Sequence, residues 1–366
     1  MALSVGLVGL PNVGKSTTFN ALTKASNAEA QNYPFCTIEP NKAIVPVPDI
    51  RLQALANIVK PNKIQASTIE FVDIAGLVKG ASKGEGLGNQ FLATIREVEI
   101  ILHIVRCFDD ENIIHVEGSI DPLRDIEIIE GELILADVEQ LDKKIERLQK
   151  KAKLDKKAAA QLVIANELKD HLDELNPVST FASKDSEDFK EFDSELRFLS
   201  NKTIIYGANV DEEALLEDNE YVKILKKYAE SKNATVLKLC AKVEEELIDL
   251  EDEEAKEFLT ELGVQSSGLD VIIKQAFNQL GLINYFTAGV TEVSSWTIQK
   301  GWLAPKSASV IHNDFEKGFI RAEVIAYDDY IEANGEAKAK ENGKLRLEGK
   351  DYEVKDGDVM HFRFNV

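Results

Sequence analysis

The sequence predicts an α/β protein in which a parallel sheet domain is interrupted by a helical arm and followed by a small β-rich domain. Three observations predict this arrangement. A glycine-rich segment stands between an apolar strand and a helix near the N-terminus, a long stretch shows helical hydrophobic spacing, and short β-like runs separated by turn signals fill the C-terminal part. We therefore expect the sheet domain over residues 1–124 and 200–281, the arm over 125–199 and the β-rich domain over 282–366.

The glycine-rich segment has the spacing of a phosphate-binding loop. Residues 9–16 read Gly-Leu-Pro-Asn-Val-Gly-Lys-Ser, a pattern in which backbone N–H groups surround a phosphate. The strand over 4–8 and the helix over 15–22 would place that phosphate at a helix N-terminus. Lys15 is expected to reach the outer phosphates and the Ser16 hydroxyl to bind Mg²⁺. The residues predicted to contact the nucleotide here are Asn12, Val13, Gly14, Lys15, Ser16 and Thr17.

A second motif supplies a metal carboxylate and a phosphate sensor. The apolar run 68–72 ends in a D-x-x-G pattern formed by Asp73 and Gly76. Such a pattern is common by chance, but here it follows a strand and lies downstream of a phosphate loop. In this context it predicts that Asp73 binds Mg²⁺ through a water molecule. It also predicts that the Gly76 N–H binds the γ-phosphate and so senses its presence. Thr37, in a breaker-rich loop, is expected to bind the same ion. Leu77 stands where many GTPases carry a water-orienting glutamine, and its side chain cannot position water.

The base-reading motif is altered at two positions. The strand 203–208 leads to Asn209, Val210 and Glu212, where GTPases place N-K-x-D. In that pattern the aspartate accepts two hydrogen bonds from guanine and the lysine stem covers the ring. A glutamate carboxylate, held one methylene further out, meets guanine badly, so we expect guanine selection to be relaxed or lost. The loop after the next strand is similar to one whose backbone covers the base, and it consists of Cys240, Ala241 and Lys242.

Composition limits the class of protein. The chain has 366 residues, of which 44% are hydrophobic and 29% charged, and no apolar run is long enough to span a bilayer, so we expect a cytoplasmic protein without a membrane partner. Its three cysteines lie far apart, which argues against a disulfide framework or a zinc site. A net charge of −21 opposes broad binding to nucleic acid. A local basic patch could still bind it.

Such a patch lies at the tip of the predicted arm. Two helical patterns in 125–199 would pack antiparallel, and lysines cluster between them at Lys150, Lys151, Lys153, Lys156 and Lys157. A cationic end of this kind could touch an RNA backbone. The alternative is an ordinary solvated helix hairpin.

These motifs together resemble the YchF family, the Obg-like ATPase subfamily of translation-factor-type P-loop GTPases. The likeness covers essentially the whole chain, and the residues from 282 onward resemble a TGS domain, a ubiquitin-like β-grasp module, most strongly over 311–320. The resemblance implies an α/β P-loop NTPase fold, the G-domain, with an inserted α-helical coiled-coil arm and a C-terminal β-grasp domain. The stretches that carry it are 9–17, 32–40, 71–89, 106–118, 209–212 and 285–366.

The resemblance also implies an activity, which is slow Mg²⁺-dependent hydrolysis of ATP in preference to GTP, driving a two-state switch. His115 would position water in place of the missing glutamine, Lys15 and Gly76 would act on the phosphates, and Phe108 would pack on the adenine held by Asn209 and Val210. Asn12 resembles an asparagine that accompanies K⁺ activation in related GTPases. The implied partners are ATP, ADP and the ribosome, contacted by the arm and the TGS domain, and we expect a monomer.

Two alternatives stay open on the residues alone. The first is a switch of the same enzyme class that prefers GTP. The second is a nucleotide-gated adaptor without physiologically relevant turnover, which the aliphatic Leu77 would suit.

Overall fold

The computed structural model describes residues 4–30, 41–74 and 87–365. Its strands are β1 (Ser4–Val8), β2 (Lys42–Pro46), β3 (Lys63–Gln65), β4 (Thr68–Asp73), β5 (Ile100–Arg106), β6 (Thr203–Asn209), β7 (Thr235–Leu239), β8 (Leu282–Ala288), β9 (Glu292–Gln299), β10 (Phe319–Ala326), β11 (Arg346–Glu348) and β12 (Asp358–Phe364).

Its helices alternate with these strands and also build the segment between β5 and β6. They are α1 (Lys15–Ala30), α2 (Ile50–Val59), α3 (Leu87–Glu97), α4 (Pro122–Lys151), α5 (Lys156–Asp173), α6 (Glu187–Leu196), α7 (Glu212–Leu216), α8 (Glu220–Ser231), α9 (Ala241–Leu247), α10 (Asp252–Glu261), α11 (Gly268–Gln279), α12 (Ala304–Ala308), α13 (Asn313–Lys317), α14 (Tyr327–Glu332) and α15 (Glu336–Glu341). The chain divides into two compact units, one formed by Met1–Ile44 and Glu70–Leu269 and the other by Val45–Ile69 and Asp270–Val366.

The first unit contains a six-stranded sheet in the order β2-β4-β1-β5-β6-β7. The pairs β4–β1, β1–β5, β5–β6 and β6–β7 are all parallel, which confirms the expected parallel α/β domain. Strands β1 and β5 are buried along their whole length, as expected for strands covered by helices on both faces of a sheet. Since these strands run in the same direction, the loops that follow them meet at one edge of the sheet, where ligands of open α/β sheets bind.

The arm is built on α4 and α5. Helix α4 begins with Pro122, whose fixed φ suits the first helical turn, and the Asp121 carboxylate accepts hydrogen bonds from the backbone N–H groups of Leu123 and Arg124. The helix therefore begins slightly before the boundary predicted at residue 125. Buried apolar side chains hold the arm together, including Leu141, Leu148, Ala165, Leu168, Leu172, Phe189, Phe192 and Phe198.

The predicted basic tip lies at the turn between these two helices. Helix α4 ends at Lys151 and α5 starts at Lys156, and Leu154 between them is 96% exposed. The lysines therefore surround the end of the hairpin. This confirms the place of the cationic tip but leaves its partner a prediction.

The second unit contains a mixed sheet in the order β11-β10-β12-β8-β9-β3. Its central strands β12 and β8 are parallel to each other. The pairs β8–β9, β10–β12 and β10–β11 are antiparallel. A parallel first and last strand between two antiparallel pairs is the β-grasp arrangement that the family resemblance implies. The side chain of His312 accepts a hydrogen bond from the Asp314 N–H and so caps the start of α13.

One segment differs from the domain boundaries expected from the sequence. Residues 45–69 were expected in the sheet domain, but β3 pairs with β9, and Leu52 and Leu55 of α2 lie in one buried cluster with Phe286 and Val293. The apolar face of α2 is visible in the sequence, but the strand pair that covers it lies more than 200 residues further along the chain. The range 1–124 is therefore interrupted by a segment that packs with the C-terminal sheet.

Among the helices of the described segments, none combines the length and the apolar character needed to cross a membrane.

Candidate functional site

The phosphate-binding loop occupies the predicted position between β1 and α1. Its backbone turns through two left-handed conformations, at Asn12 (φ 64°) and Gly14 (φ 95°). At Gly14 a side chain is also excluded by contact, because a Cβ atom there would lie 2.1 Å from the Asn209 amide nitrogen. The first turn of α1 closes on the same residue, since the Thr18 N–H donates to the Gly14 carbonyl at 2.9 Å. The loop geometry therefore requires glycine at this position.

The two phosphate motifs meet in the structure. The Lys15 ammonium forms an ion pair with the Asp73 carboxylate at the end of β4, and their side chains are only 9% and 24% exposed. A lysine that is to bind phosphates and a carboxylate that is to act on Mg²⁺ thus face the same space. Ser16 adds an exposed hydroxyl at the start of α1.

Mg²⁺ prefers oxygen ligands and retains several waters when it binds to proteins. The Ser16 hydroxyl and the Asp73 carboxylate supply oxygens of this kind beside the loop, so the residues present fit the ion. Thr37, Gly76 and Leu77, which the sequence places in the same machinery, lie outside the described residues, as does Cys36.

Asn209 connects the two halves of the site. Its side chain is buried, and its amide N–H donates to the Val13 carbonyl at 2.9 Å while its amide oxygen accepts from the Ala241 N–H at 3.0 Å. One side chain thus ties the phosphate loop to the loop that follows β7. Both polar ends of Asn209 are used in this way, so its role in this structure is to join two loops.

The remaining base-site residues are arranged differently from the GTPase pattern. The Val210 side chain is 2% exposed and lies in a buried cluster with Val105 and Cys107, so a contact with the base would come from its backbone. Glu212, at the start of α7, accepts a hydrogen bond from the Lys242 ammonium at 3.0 Å, and this bond raises the pKa of Lys242. Glu212, which stands at the guanine-reading position, is therefore paired with Lys242 of the segment that follows β7.

Phe108 is half-buried beside this region, and its ring is supported from one side. The Arg106 guanidinium lies 4.6 Å from the centre of the Phe108 ring. Arg106 is 1% exposed and donates hydrogen bonds to the carbonyls of Phe108, Asp110 and Ile113 at 3.1, 3.1 and 2.8 Å. A planar cation with several donors thus fixes both the ring and the loop after β5.

His115 lies in the same loop, but it is not on the surface. Its side chain is 3% exposed, and its Nε2 atom lies 2.8 Å from a carboxylate oxygen of Asp125 in the first turn of α4. Its Nδ1 atom accepts a hydrogen bond from the Glu117 N–H at 3.2 Å. Both ring nitrogens are therefore occupied, and water positioning by His115 stays a prediction that requires this side chain to move.

The loop that carries His115 is also tied to the phosphate loop. The Asn12 side-chain amide donates to the Ile114 carbonyl at 3.0 Å. Asn12, for which the family resemblance implies a K⁺ site, thus joins the phosphate loop to the residue just before His115. The structure thus joins Lys15 to Asp73 and Asn12 to the loop after β5, and His115 lies one residue from this second contact.

Two site cysteines are buried thiols. Burial raises the pKa of Cys107 to about 12, with a further contribution from the nearby Asp125 carboxylate. Burial also raises the pKa of Cys240, which precedes α9. Neither thiol is set up as a nucleophile near neutral pH.

Two residues of the site were not assigned a role from the sequence. Arg106 had a usable signal, because a charged residue ends a strand that is apolar apart from His103, and such a residue must find polar partners when it is buried. Asp125 had none, since acidic residues are common near helix N-termini. Its position beside His115 depends on how α4 packs against the loop.

Comparison with known proteins adds a family context to this geometry. A family model described as 50S ribosome-binding GTPase matches residues 4–167, and a model named YchF-GTPase_C, described as a protein of unknown function, matches residues 282–365. The chain is 55% identical to the Ribosome-binding ATPase YchF of Haemophilus influenzae and 53% identical to that of Bacillus subtilis, in both cases over 100% of each protein. Among solved structures, that of the Schizosaccharomyces pombe YchF GTPase is similar with a TM-score of 0.89 and 39% identity, covering 99% of this chain and 97% of that one.

Proposed function

Because this chain belongs to the YchF family of P-loop nucleoside triphosphatases, we propose that it binds ATP in preference to GTP and hydrolyses it slowly with Mg²⁺. Hydrolysis would switch the protein between two states that its arm and C-terminal domain present to a ribosomal partner. Two relatives that match over their whole length are named Ribosome-binding ATPase, which supports ATP hydrolysis and a ribosomal partner. The family and the fold are those expected from the sequence.

The observation that carries the ATP preference is the position of Glu212. A guanine-selecting aspartate accepts two hydrogen bonds from the base, whereas Glu212 holds its carboxylate one methylene further out, on the exposed Lys242 ammonium at 3.0 Å. The lysine that would cover guanine is replaced by Val210, whose side chain is buried. The site therefore lacks the aspartate and the lysine that favour guanine in GTPases. Adenine has no pair of donors that would need such a carboxylate.

The proposed hydrolysis uses the residues around the phosphate loop. Lys15 would release Asp73 and stabilise charge on the β- and γ-phosphates, because a triphosphate offers the ammonium more negative charge than one carboxylate. Ser16, Thr37 and, through water, Asp73 would hold Mg²⁺, which supplies charge neutralisation on the phosphate oxygens. The Gly76 N–H would report the presence of the γ-phosphate. His115 would position the attacking water.

The base preference is tested by ATP and GTP affinities of the wild type and of Glu212→Asp. We expect the wild type to bind ATP more tightly, and we expect the shorter carboxylate to raise the relative affinity for GTP. Glu213→Asp makes the same chemical change at the next exposed position of α7 and should leave the ratio unchanged. A wild type that binds GTP at least tenfold more tightly than ATP would overturn the proposal.

The ribosomal partner is proposed to meet the basic tip of the arm. Charge reversal at Lys150, Lys153 and Lys156 should weaken co-sedimentation with ribosomes and reduce the salt dependence of binding, because each lost phosphate contact lowers that dependence. Reversal of three exposed lysines on and just after α8 is the matched control. These are Lys223, Lys227 and Lys232. Equal loss in both triple variants would mean that net charge, and not the arm, decides binding.

We also propose that K⁺ assists hydrolysis at Asn12. A monovalent cation beside the β- and γ-phosphates would supply the charge that an arginine finger provides elsewhere. Turnover measured in KCl and in NaCl at equal ionic strength tests this, and equal rates in the two salts would remove the cation from the proposal.

A further inference from the structure

The contacts of His115 assign the proton on its ring. The Glu117 N–H donates to Nδ1, so this nitrogen carries a lone pair and the proton of the neutral ring lies on Nε2. That N–H then donates to Asp125 at 2.8 Å. In this arrangement the ring has no nitrogen left for a water molecule.

The hydrogen bond between His115 and Asp125 is strengthened by its burial. The Asp125 side chain is 2% exposed, and a hydrogen bond to a buried carboxylate is stronger than one between neutral groups. Asp125 is fixed in turn, because it lies in the first turn of α4 and its other oxygen accepts from the Arg124 guanidinium at 3.1 Å. Arg124 also donates to the Ser119 hydroxyl at 2.9 Å.

The loop is therefore held from two sides. Before His115, the Ile114 carbonyl is bound by Asn12 of the phosphate loop, and after it Ser119 is bound by Arg124 of α4. His115 lies between these anchors. A movement of the ring towards the phosphates would break the bond to Asp125 while both anchors stay in place.

Departure of the ring would not leave Asp125 without a partner. Arg124 would still donate to this carboxylate, so the cost of an uncompensated buried charge would not arise. Release of His115 would therefore break its bonds to Asp125 and to the Glu117 N–H without leaving a buried charge unpaired.

We propose that Asp125 is a positioning residue that holds His115 away from the reacting phosphates, so that turnover of the free protein comes from the minor fraction in which His115 has left Asp125. This inference rests on the proposed role of His115 in positioning water. Asp125 itself touches neither nucleotide nor water in the reaction.

The first test uses the kinetics of Asp125→Asn. The amide keeps the shape but loses the charge, so the holding bond weakens and we expect kcat for ATP to rise about tenfold, which corresponds to about 1.4 kcal/mol, with KM unchanged. Glu127→Gln removes the same charge from an exposed position of the same helix and should leave kcat unchanged. A kcat of Asp125→Asn at or below that of the wild type would overturn the inference.

The double variant shows whether Asp125 acts through His115. In Asp125→Asn/His115→Ala we expect the low turnover of His115→Ala alone, whereas an equal rise of kcat in the His115→Ala background would overturn the inference. Separately, a single His115→Ala variant with wild-type turnover would remove His115 from the proposed function. If Asp125→Asn has the kcat of the wild type while His115→Ala is impaired, the proposed function of His115 is retained and only the proposed role of Asp125 is contradicted.

A second measurement does not depend on the folding of any variant at Asp125. Long-range proton–nitrogen NMR of the wild type without nucleotide reports the tautomer of each of its five histidines, and the signal missing from His115→Ala assigns His115. We expect a single tautomer with the proton on Nε2. The averaged signals of a solvent-exposed imidazole at this residue would overturn the inference.

Discussion

The phosphate end and the base end of the site are held in different ways. At the phosphate end the contacts are buried, because Asn209, which holds the Val13 carbonyl, is 3% exposed and a side chain at Gly14 would collide with it. At the base end, Glu212 and Lys242 form an ion pair whose side chains are 46% and 71% exposed. Exposed pairs of this kind contribute little to stability. The comparison indicates that the phosphate loop is tied into the folded core, while the exposed Glu212–Lys242 pair can change without loss of the fold.

Gly14→Ala should produce the largest effect at the phosphate end. A Cβ at this left-handed position would collide with the Asn209 amide, and we expect the affinity for ATP to fall by roughly a hundredfold from strain and loss of the loop geometry. Titration calorimetry with ATP measures this. Gly131→Ala, on α4, has no atom within 4 Å of the new Cβ and should bind ATP as the wild type does. ATP affinity of Gly14→Ala within threefold of the wild type would contradict a rigid phosphate end.

Asn209→Ala tests the connection between the two ends. The variant leaves the Val13 carbonyl and the Ala241 N–H buried without their partner, so the free energy of unfolding should fall by about 1–3 kcal/mol. Urea denaturation measures this, with Asn20→Ala at an exposed position of α1 as the control, where a change within about 0.5 kcal/mol is expected. Equal stability of the two variants would mean that the loops are held by something other than Asn209.

Arg106→Lys should produce a smaller effect, confined to the base end. Lysine cannot stack flat on Phe108 or bond several carbonyls at once, so we expect ATP affinity to fall about tenfold while the affinity for inorganic tripolyphosphate stays unchanged. Both affinities come from calorimetry, and Arg147→Lys on the exposed face of α4 is the matched control. A parallel loss of tripolyphosphate affinity would show that Arg106 supports the phosphate end as well.

The sequence predicts the parts of the molecule that depend on local pattern. The phosphate loop, the strand ending at Asp73 and the helix pair of the arm follow from spacing and hydrophobic period, and the structure has them where they are expected. The approach of Lys15 to Asp73 is consistent with these predictions, because parallel strands bring their following loops to one sheet edge.

The remaining features depend on contacts between distant parts of the chain. Spacing identified Asn209 as a base-site residue, but only the fold shows that its amide joins two loops. Similarly, no local pattern shows that His115 packs against Asp125 or that α2 belongs with the C-terminal sheet. In each case the partner is selected by packing and by the need to satisfy buried polar groups.

Equilibrium competition in the wild type tests the difference between the two ends most directly. A fluorescent ATP analogue bound to the protein is displaced with ATP, GTP and inorganic tripolyphosphate in the presence of Mg²⁺. We predict that all three compete, that ATP does so at the lowest concentration, and that Gly14→Ala weakens all three together. Displacement by GTP at a tenth of the ATP concentration or less would contradict a site that grips the triphosphate without selecting guanine.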